Sequence, residues 1–335
     1  MPVEVTTVAD DMVVVHTPTE VRRYFELSPD TVHVLDGVEA RTLPRPGGEL
    51  LARVATVNDV HFGEFECGRI DDHPMGPILR AAEGEPPYPL VMNRGAIAEI
   101  TSIDPDAVLV KGDLTNDGRP EEFAAFREAY GVFGERLSVI RGNHDAYRGQ
   151  DEFAGDVCVD VPGARMLMLD TTIPTQTTGR VTTEQLAWLE ALAAEADSPV
   201  LLFGHHQVWV PGGNRDPGYF GINPDDSEAL LEVIARHPNI AGYFAGHTHR
   251  NRVRPHPETG TPLVEVGCVK DFPGSWAEYR VFEGGVLQVH HRISSPEALA
   301  WSERCRHLYR DFGVDYESYA LATLDHRCFT LPGRN

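Results

Sequence analysis

Five short clusters of acidic, amide and imidazole residues each follow an apolar segment of this chain. In chain order they are Asp59-Val60-His61, Gly112-Asp113, Gly142-Asn143-His144-Asp145, Gly204-His205-His206 and Gly246-His247-Thr248-His249. One His-x-His sequence alone is weak evidence, because isolated histidines more often have structural roles. Five such clusters in one order are hard to explain without a metal site. The sequence therefore predicts a metal site assembled from distant parts of the chain.

Strand-length apolar runs alternate with helical stretches from residue 51 onward. The runs cover residues 51–57, 107–110, 137–140, 166–169, 200–203 and 240–245. Their richness in Val, Ile, Leu and Phe is typical of buried strands. Helices are predicted over residues 120–130 and 225–236, and after the capping-box sequence Thr182-Thr183-Glu184-Gln185. Because ligands of α/β sheets bind beyond the carboxyl ends of the strands, the five clusters should meet at one rim.

Three regions of the chain differ in their residue pattern. Residues 1–50 are predicted to form a small β-rich region, in which Asp36-Gly37 is the turn of a hairpin. Residues 51–292 form the main α/β domain, and the proline- and glycine-rich segment 62–90 is an irregular insertion of the kind that forms lids. Residues 293–335 form a C-terminal extension that is predicted to be helical over 296–312.

Charge and cysteine usage limit the partners and the compartment. The 51 acidic and 29 basic side chains give a net charge of −22, which disfavours nucleic acid and anionic membranes as partners. A small phosphate ester can still bind, because bound cations dominate the local field. We find neither a long apolar run nor a basic start followed by an apolar segment, so no membrane span or signal peptide is expected. Five cysteines without C-x-x-C spacing indicate reduced thiols and a cytoplasmic location.

The clusters supply seven candidate metal donors with oxygen or nitrogen atoms. They are Asp59, His61, Asp113, Asn143, His205, His247 and His249. One zinc-like ion takes about four ligands, so seven donors suit two ions if one carboxylate bridges them. Carboxylate and imidazole together suit Mn, Fe or Zn, and the clusters contain no cysteine. Two such ions can hold both the attacking and the leaving oxygen of a phosphoryl displacement.

The ordered motifs D-x-H, G-D, G-N-H-D, G-H and G-H-x-H resemble those of the calcineurin-like metallophosphoesterase superfamily. The resemblance implies an α/β fold arranged as a four-layer α/β/β/α sandwich. It implies one metal site formed by Asp59, His61, Asp113 and His249, and a second formed by Asp113, Asn143, His205 and His247. Asp113 would then bridge the two ions.

Three residues of the clusters are given roles in catalysis or substrate binding, and one of them, Asn143, is also a candidate ligand. The resemblance implies that His144 does not bind metal but stabilises the phosphate or protonates the leaving oxygen, and we expect Asp145 or another nearby acid to tune its pKa. Asn143 would also hold a phosphate oxygen. His206 is assigned to the substrate side, because neighbouring residues on an extended segment point in opposite directions.

Residues 112–122 and 169–189 are similar to the branch of class III cyclic nucleotide and glycerophosphodiester phosphodiesterases. Protein phosphatases carry Asp then Arg-Gly after G-D, and purple acid phosphatases carry a tyrosine at the position of Asn116. This chain has neither feature. It also departs from the favoured branch, which continues His-His-Pro-Pro where this chain has His205-His206-Gln207-Val208.

The predicted function is therefore dimetal-dependent hydrolysis of a small phosphodiester by a metal-bridging hydroxide. A phosphomonoesterase acting on a nucleotide or sugar phosphate is the alternative, because the metal core is shared and the loops select the substrate. A protein-binding scaffold without activity would be expected to lack ligands or His144, and all of these are present. The resemblance also suggests a homodimer.

Overall fold

The computed structural model describes residues 3–17, 20–70, 73–216 and 218–332. Its strands are β1 (Glu4–Val8), β2 (Val13–His16), β3 (Val21–Tyr24), β4 (Val32–Leu35), β5 (Val38–Arg41), β6 (Leu50–Val57), β7 (Glu66–Ile70), β8 (His73–Arg80), β9 (Ala107–Lys111), β10 (Leu137–Ile140), β11 (Val157–Val161), β12 (Ala164–Leu169), β13 (Val200–Gly204), β14 (Ile240–Ala245), β15 (Arg252–Pro255), β16 (Pro262–Glu265), β17 (Ser275–Phe282), β18 (Gly285–Arg292) and β19 (Phe329–Pro332). Its α-helices are α1 (Tyr88–Ser102), α2 (Pro120–Tyr130), α3 (Thr183–Glu195), α4 (Pro224–Arg236), α5 (Pro296–Cys305) and α6 (Tyr316–Leu321).

Two six-stranded sheets form the centre of the molecule. The first has the order β10-β9-β6-β17-β18-β19, and the second has the order β11-β12-β13-β14-β16-β15. In the first sheet β10, β9 and β6 run parallel, and in the second β12, β13, β14 and β16 run parallel. The carboxyl ends of parallel strands meet at one edge, so each sheet brings several strand ends together.

Three apolar clusters define the layers. One contains Val54 and Tyr279 of the first sheet with Phe203 and Phe244 of the second, so the two sheets pack face to face. A second joins the outer face of the first sheet to α1, α2 and α5. A third joins the outer face of the second sheet to α3 and α4. The layers are therefore helices, sheet, sheet and helices, which confirms the predicted four-layer α/β/β/α class.

Local sequence signals account for the bounds of the strands that precede the ligands and of several helices. The predicted apolar runs coincide with β6, β9, β10, β12, β13 and β14 to within a few residues. Helix α2 begins at Pro120, and Glu122 bonds back to the N-cap backbone. Helix α3 has the predicted capping box, in which the hydroxyl of Thr182 accepts from the backbone of Gln185. Asp36 and Gly37 both have positive φ, as the predicted hairpin turn between β4 and β5 requires.

Two segments differ from the expectation. The insertion 62–90 is not irregular throughout, because β7 and β8 pair as a hairpin before α1 begins at Tyr88. The C-terminal tail is not only helical. Helix α5 ends at Cys305, and β19 pairs with β18 in the first sheet, where Leu331 is buried in the apolar cluster between the sheets. In this segment of alternating apolar and polar residues, long-range packing outweighs the local preference of the residues for helix or strand.

The N-terminal residues pack onto the main domain. Strands β1, β2 and β3 form a separate antiparallel sheet, and apolar residues of this region contact Phe282, Leu287 and Val289 of the first sheet. Within the described ranges, the helices are all too short or too polar to cross a membrane.

Candidate metal centre

Strand ends from both sheets supply the predicted ligands. Asp59 follows β6, Asp113 follows β9 and Asn143 follows β10, so three donors come from the parallel part of the first sheet. His205 follows β13 and His247 follows β14 in the second sheet. The rim predicted from the sequence is thus formed by two sheets that face each other.

Five of the seven candidate ligands have left-handed backbone angles. Their φ values are 53° at Asp59, 47° at His61, 52° at Asp113, 66° at His247 and 54° at His249. A non-glycine residue in this region costs on the order of 1 kcal/mol or more, and such strain concentrates at functional sites. The surrounding structure thus holds these backbones in the turns that gather the side chains.

Asp113 lies between the two predicted metal sites. Its Oδ2 atom is 3.5 Å from Nε2 of His61 and 3.3 Å from Nε2 of His205. One carboxylate oxygen therefore faces an imidazole of each site, as a bridging aspartate requires. The other oxygen, Oδ1, accepts a hydrogen bond from the backbone N–H of His144 at 3.0 Å.

The remaining donors form two groups around Asp113. In each of two sets the ligand atoms lie within 4.8 Å of one another, and the sets are Asp59, His61 and His249, and His205, His206 and His247. Nε2 of His249 is 3.5 Å from Oδ1 of Asp59. On the other side, Oδ1 of Asn143 is 3.1 Å from Nε2 of His205. The structure thus brings all seven predicted ligands together.

The unpaired donor atoms fit a pair of cations. Both ring nitrogens of His61 and Nε2 of His247 are buried and make no hydrogen bond to any residue in the described parts of the chain. Leaving a buried polar atom unpaired costs about 1–3 kcal/mol, so these atoms need a partner. Divalent ions coordinated by one nitrogen of His61 and by Nε2 of His247 would supply a partner for those two atoms, and the carboxylates of Asp59 and Asp113 would balance the charge.

The electrostatics of the cleft keep its carboxylates ionised. Burial alone would raise the pKa of Asp113, but the facing imidazoles of His205 and His144 outweigh burial and hold this pKa well below its ordinary value. Burial lowers the pKa of His205, whereas Asp113 and Asp59 raise it, and the result is a pKa of about 9. Burial holds the pKa of His61 and that of His247 well below the usual range.

His144 is placed beside the ligands and is partly exposed. Its Nδ1 atom is 2.6 Å from the carbonyl oxygen of Asn116, so Nδ1 must carry the proton and Nε2 is the atom available for proton exchange. Its ring centroid lies 4.6 Å from that of His61. Of the acids expected to tune His144, Asp145 instead accepts from the backbone of Gly142 at 2.8 Å and from Thr115, and tuning by another nearby acid stays a prediction.

His206 is buried below the loop that follows β12. Its Nδ1 atom is 2.7 Å from the hydroxyl of Thr171, and its Nε2 atom is 3.1 Å from the carbonyl oxygen of Thr177. Both ring nitrogens are therefore in contact with protein atoms. Its ring centroid lies 4.6 Å from that of His247, so the residue adjoins the ligands, and its predicted contact with substrate stays a prediction.

Three residues near the ligands were not found from the sequence. The hydroxyl of Tyr147 accepts from Nδ2 of Asn143 at 2.6 Å, which directs Oδ1 of the same amide toward His205. The half-exposed ring of Phe220 stacks on His247 with a centroid distance of 4.0 Å. Asp271 lies behind His249. Tyr147 follows the G-N-H-D motif closely, whereas Phe220 and Asp271 lie in loops without any pattern.

Comparison with known proteins agrees with this geometry. Residues 52–251, which include all seven candidate ligands, match the calcineurin-like phosphoesterase family. The chain belongs to this family. It is 29% identical over 214 residues to the glycerophosphodiester phosphodiesterase GpdQ of Enterobacter lignolyticus, covering 58% of this chain and 70% of that one. It is 28% identical over 179 residues to the 3',5'-cyclic adenosine monophosphate phosphodiesterase CpdA of Pseudomonas aeruginosa, covering 51% and 64%.

The same fold occurs in a solved structure of low sequence identity. A dimetal phosphatase from Danio rerio superposes with a TM-score of 0.57 at 15% identity, covering 73% of this chain and 98% of that one. The predicted superfamily is therefore confirmed for this calcineurin-like phosphoesterase. Its phosphodiesterase branch and its fold class are confirmed as well. The CpdA alignment spans slightly less than two thirds of that relative's length.

Proposed function

We propose that the protein hydrolyses a small phosphodiester at a pair of metal ions. The placement of Asp113 carries this proposal, because its Oδ2 atom faces His61 at 3.5 Å and His205 at 3.3 Å. The similarity to relatives named as glycerophosphodiester and cyclic nucleotide phosphodiesterases supports a diester over a monoester. Bound ions would lower the pKa of water and neutralise the phosphate charge.

The side chains around the ions would divide the remaining work. The metal ligands are proposed to be Asp59, His61, Asp113, Asn143, His205, His247 and His249. His144, whose Nδ1 proton is held by the carbonyl of Asn116, would donate the proton on Nε2 to the leaving oxygen when the imidazole is charged. Asn143 would in addition contact a phosphate oxygen.

The proposal also covers the identity of the metal ions, the cellular compartment and the oligomeric state. The donors are oxygen and nitrogen atoms, which supports Mn, Fe or Zn. The five cysteines are free, and four of them are buried, which supports a reducing cytoplasm. We also propose a homodimer, a division of the chain into residues 1–50, 51–292 and 293–335, and a lid function for segment 62–90.

A substrate panel tests the activity. The protein is stripped with a chelator, reloaded with Mn²⁺, and assayed on a cyclic nucleotide, a glycerophosphodiester, an artificial diester and the matched monoesters. We expect diester turnover that is lost on stripping and restored by Mn²⁺. Turnover of the monoesters alone would favour the second candidate, a phosphomonoesterase acting on a nucleotide or sugar phosphate.

A further inference from the structure

A buried carboxylate faces the outer nitrogen of one candidate ligand. Oδ2 of Asp271 lies 3.3 Å from Nδ1 of His249, while Nε2 of His249 lies 3.5 Å from Oδ1 of Asp59. The imidazole thus stands between two carboxylates, one on the metal side and one behind it. Asp271 is 1% exposed, so water does not reach this carboxylate to replace the contact.

The two oxygens of Asp271 have different surroundings. Oδ1 accepts from the hydroxyl of Tyr316 at 2.7 Å and lies 3.0 Å from Sγ of Cys268. Oδ2 makes no hydrogen bond to the described residues, and it lies at ion-pair distance, 3.3 Å, from Nδ1 of His249. Because two donors occupy Oδ1, the carboxylate is held in one orientation, and Oδ2 is left for His249.

Helix α6 also holds the backbone around His249. The hydroxyl of Tyr319 donates to the carbonyl oxygen of Thr248 at 2.9 Å. The carbonyl oxygen of Ala320 accepts from Nδ2 of Asn251 at 2.8 Å and from its backbone N–H at 3.1 Å. These contacts lie on both sides of His249, whose φ of 54° needs support from its neighbours.

We propose that Asp271, oriented by Tyr316 of α6, is a positioning residue for His249. The carboxylate keeps the proton on Nδ1, so that Nε2 presents its lone pair on the side of Asp59, where these two residues would hold an ion. An acidic partner on the outer nitrogen fixes the tautomer and ring orientation of a metal-binding histidine and raises its basicity. Asp271 and Tyr316 both lie beyond residues 52–251, so a part of the chain outside the family match sets the affinity of one metal site.

Metal affinity, measured without substrate, tests this inference. Zn²⁺ is titrated into the stripped full-length protein against a chromophoric chelator, which resolves the two binding steps. Asp271→Asn keeps the size of the side chain but removes its charge, and we expect one step to weaken about tenfold or more while the other changes little. Tyr316→Phe should weaken the same step by a smaller factor, because Asp271 keeps its charge but loses its strongest tether.

Two matched substitutions serve as controls. Asp160→Asn removes a carboxylate that pairs with Arg165 on the surface, and Tyr24→Phe removes a hydroxyl that bonds to Asp36 in the N-terminal region. Both should leave the two affinities and the melting temperature of the metal-free protein unchanged. Unchanged Zn²⁺ binding in Asp271→Asn and Tyr316→Phe would overturn the inference, and so would equal weakening of both steps. The experiment measures Zn²⁺ binding and not turnover. Its result can therefore be interpreted even if the protein does not catalyse the proposed hydrolysis.

Discussion

At the scale of single residues, a backbone carbonyl orients the imidazole of His144. Nδ1 of His144 is 2.6 Å from the carbonyl oxygen of Asn116, just as Nδ1 of the candidate ligand His205 is 2.9 Å from that of Lys111. A carbonyl can only accept, so it fixes the tautomer without adding charge. His144 is thus suited to proton transfer, and because it is not one of the seven candidate ligands, its proposed role should be separable from metal binding.

Replacing His144 tests that separation. His144→Ala should lower kcat for a diester by about a hundredfold to ten-thousandfold, the usual contribution of a general acid. The metal content, measured by elemental analysis, should remain that of the parent protein, because the residue holds no ion. Full turnover with unchanged metal would contradict the assigned role.

At the scale of elements, the strands that precede the ligand motifs and helices α2, α3 and α4 follow from local pattern. The apolar runs that precede the ligand motifs appear as β6, β9, β10, β13 and β14, because a buried strand needs only a short β-branched or aliphatic segment. The hairpin of β7 and β8 was not predicted, since its many prolines and glycines are typical of loops. The turn after β10 is so close to Asp113 that only glycine fits there.

A glycine pair tests this close approach. At Gly142 an added Cβ would lie 2.2 Å from Oδ1 and 2.4 Å from the backbone nitrogen of Asp113. Gly142→Ala should therefore displace the bridging carboxylate, lower activity and metal binding at least about tenfold, and destabilise the fold by about 1–3 kcal/mol. Gly131→Ala is the matched control, because an added Cβ there meets nothing within 4 Å. Equal activity of the two variants would contradict the steric argument.

At the scale of the whole molecule, a buried histidine ties the N-terminal sheet to the start of the C-terminal extension. Nδ1 of His16 is 2.6 Å from the hydroxyl of Thr6, and Nε2 is 3.0 Å from the hydroxyl of Ser294. Burial, followed by the charge of Arg292, lowers the pKa of His16 from 6.5 to about 2. The folded protein therefore holds His16 neutral where the unfolded chain would bind a proton.

This pKa shift predicts acid sensitivity. Between pH 6.5 and about 2 the unfolded state binds one proton more than the folded state, so stability falls as the pH falls through this range. From pH 7.5 to pH 5 the loss due to His16 should be about 2 kcal/mol. Urea unfolding of the parent protein and of His16→Gln at both pH values measures it, since glutamine does not titrate. The same pH dependence in both proteins would assign the loss to other groups.

The sequence by itself determined the candidate ligand set and the strands that present it. These signals are local: each ligand lies within a few residues of a buried strand, and the order of motifs such as Gly142-Asn143-His144-Asp145 is readable without coordinates. The capping box of α3 and the Asp36-Gly37 turn are local in the same sense. Interactions between residues that are close in sequence can be recognised from the order of the residue types. This explains why these predictions agree with the structure.

Only the tertiary structure decided which groups support those ligands. Asp271 meets His249 across 22 residues of chain, and Tyr316 meets Asp271 across 45, with no motif or period linking them. The placement of Asp113 between His61 and His205 likewise depends on two sheets packing face to face. Such contacts arise from long-range packing of the apolar faces, and a side chain's partner across a packed core is not specified by the residues next to it.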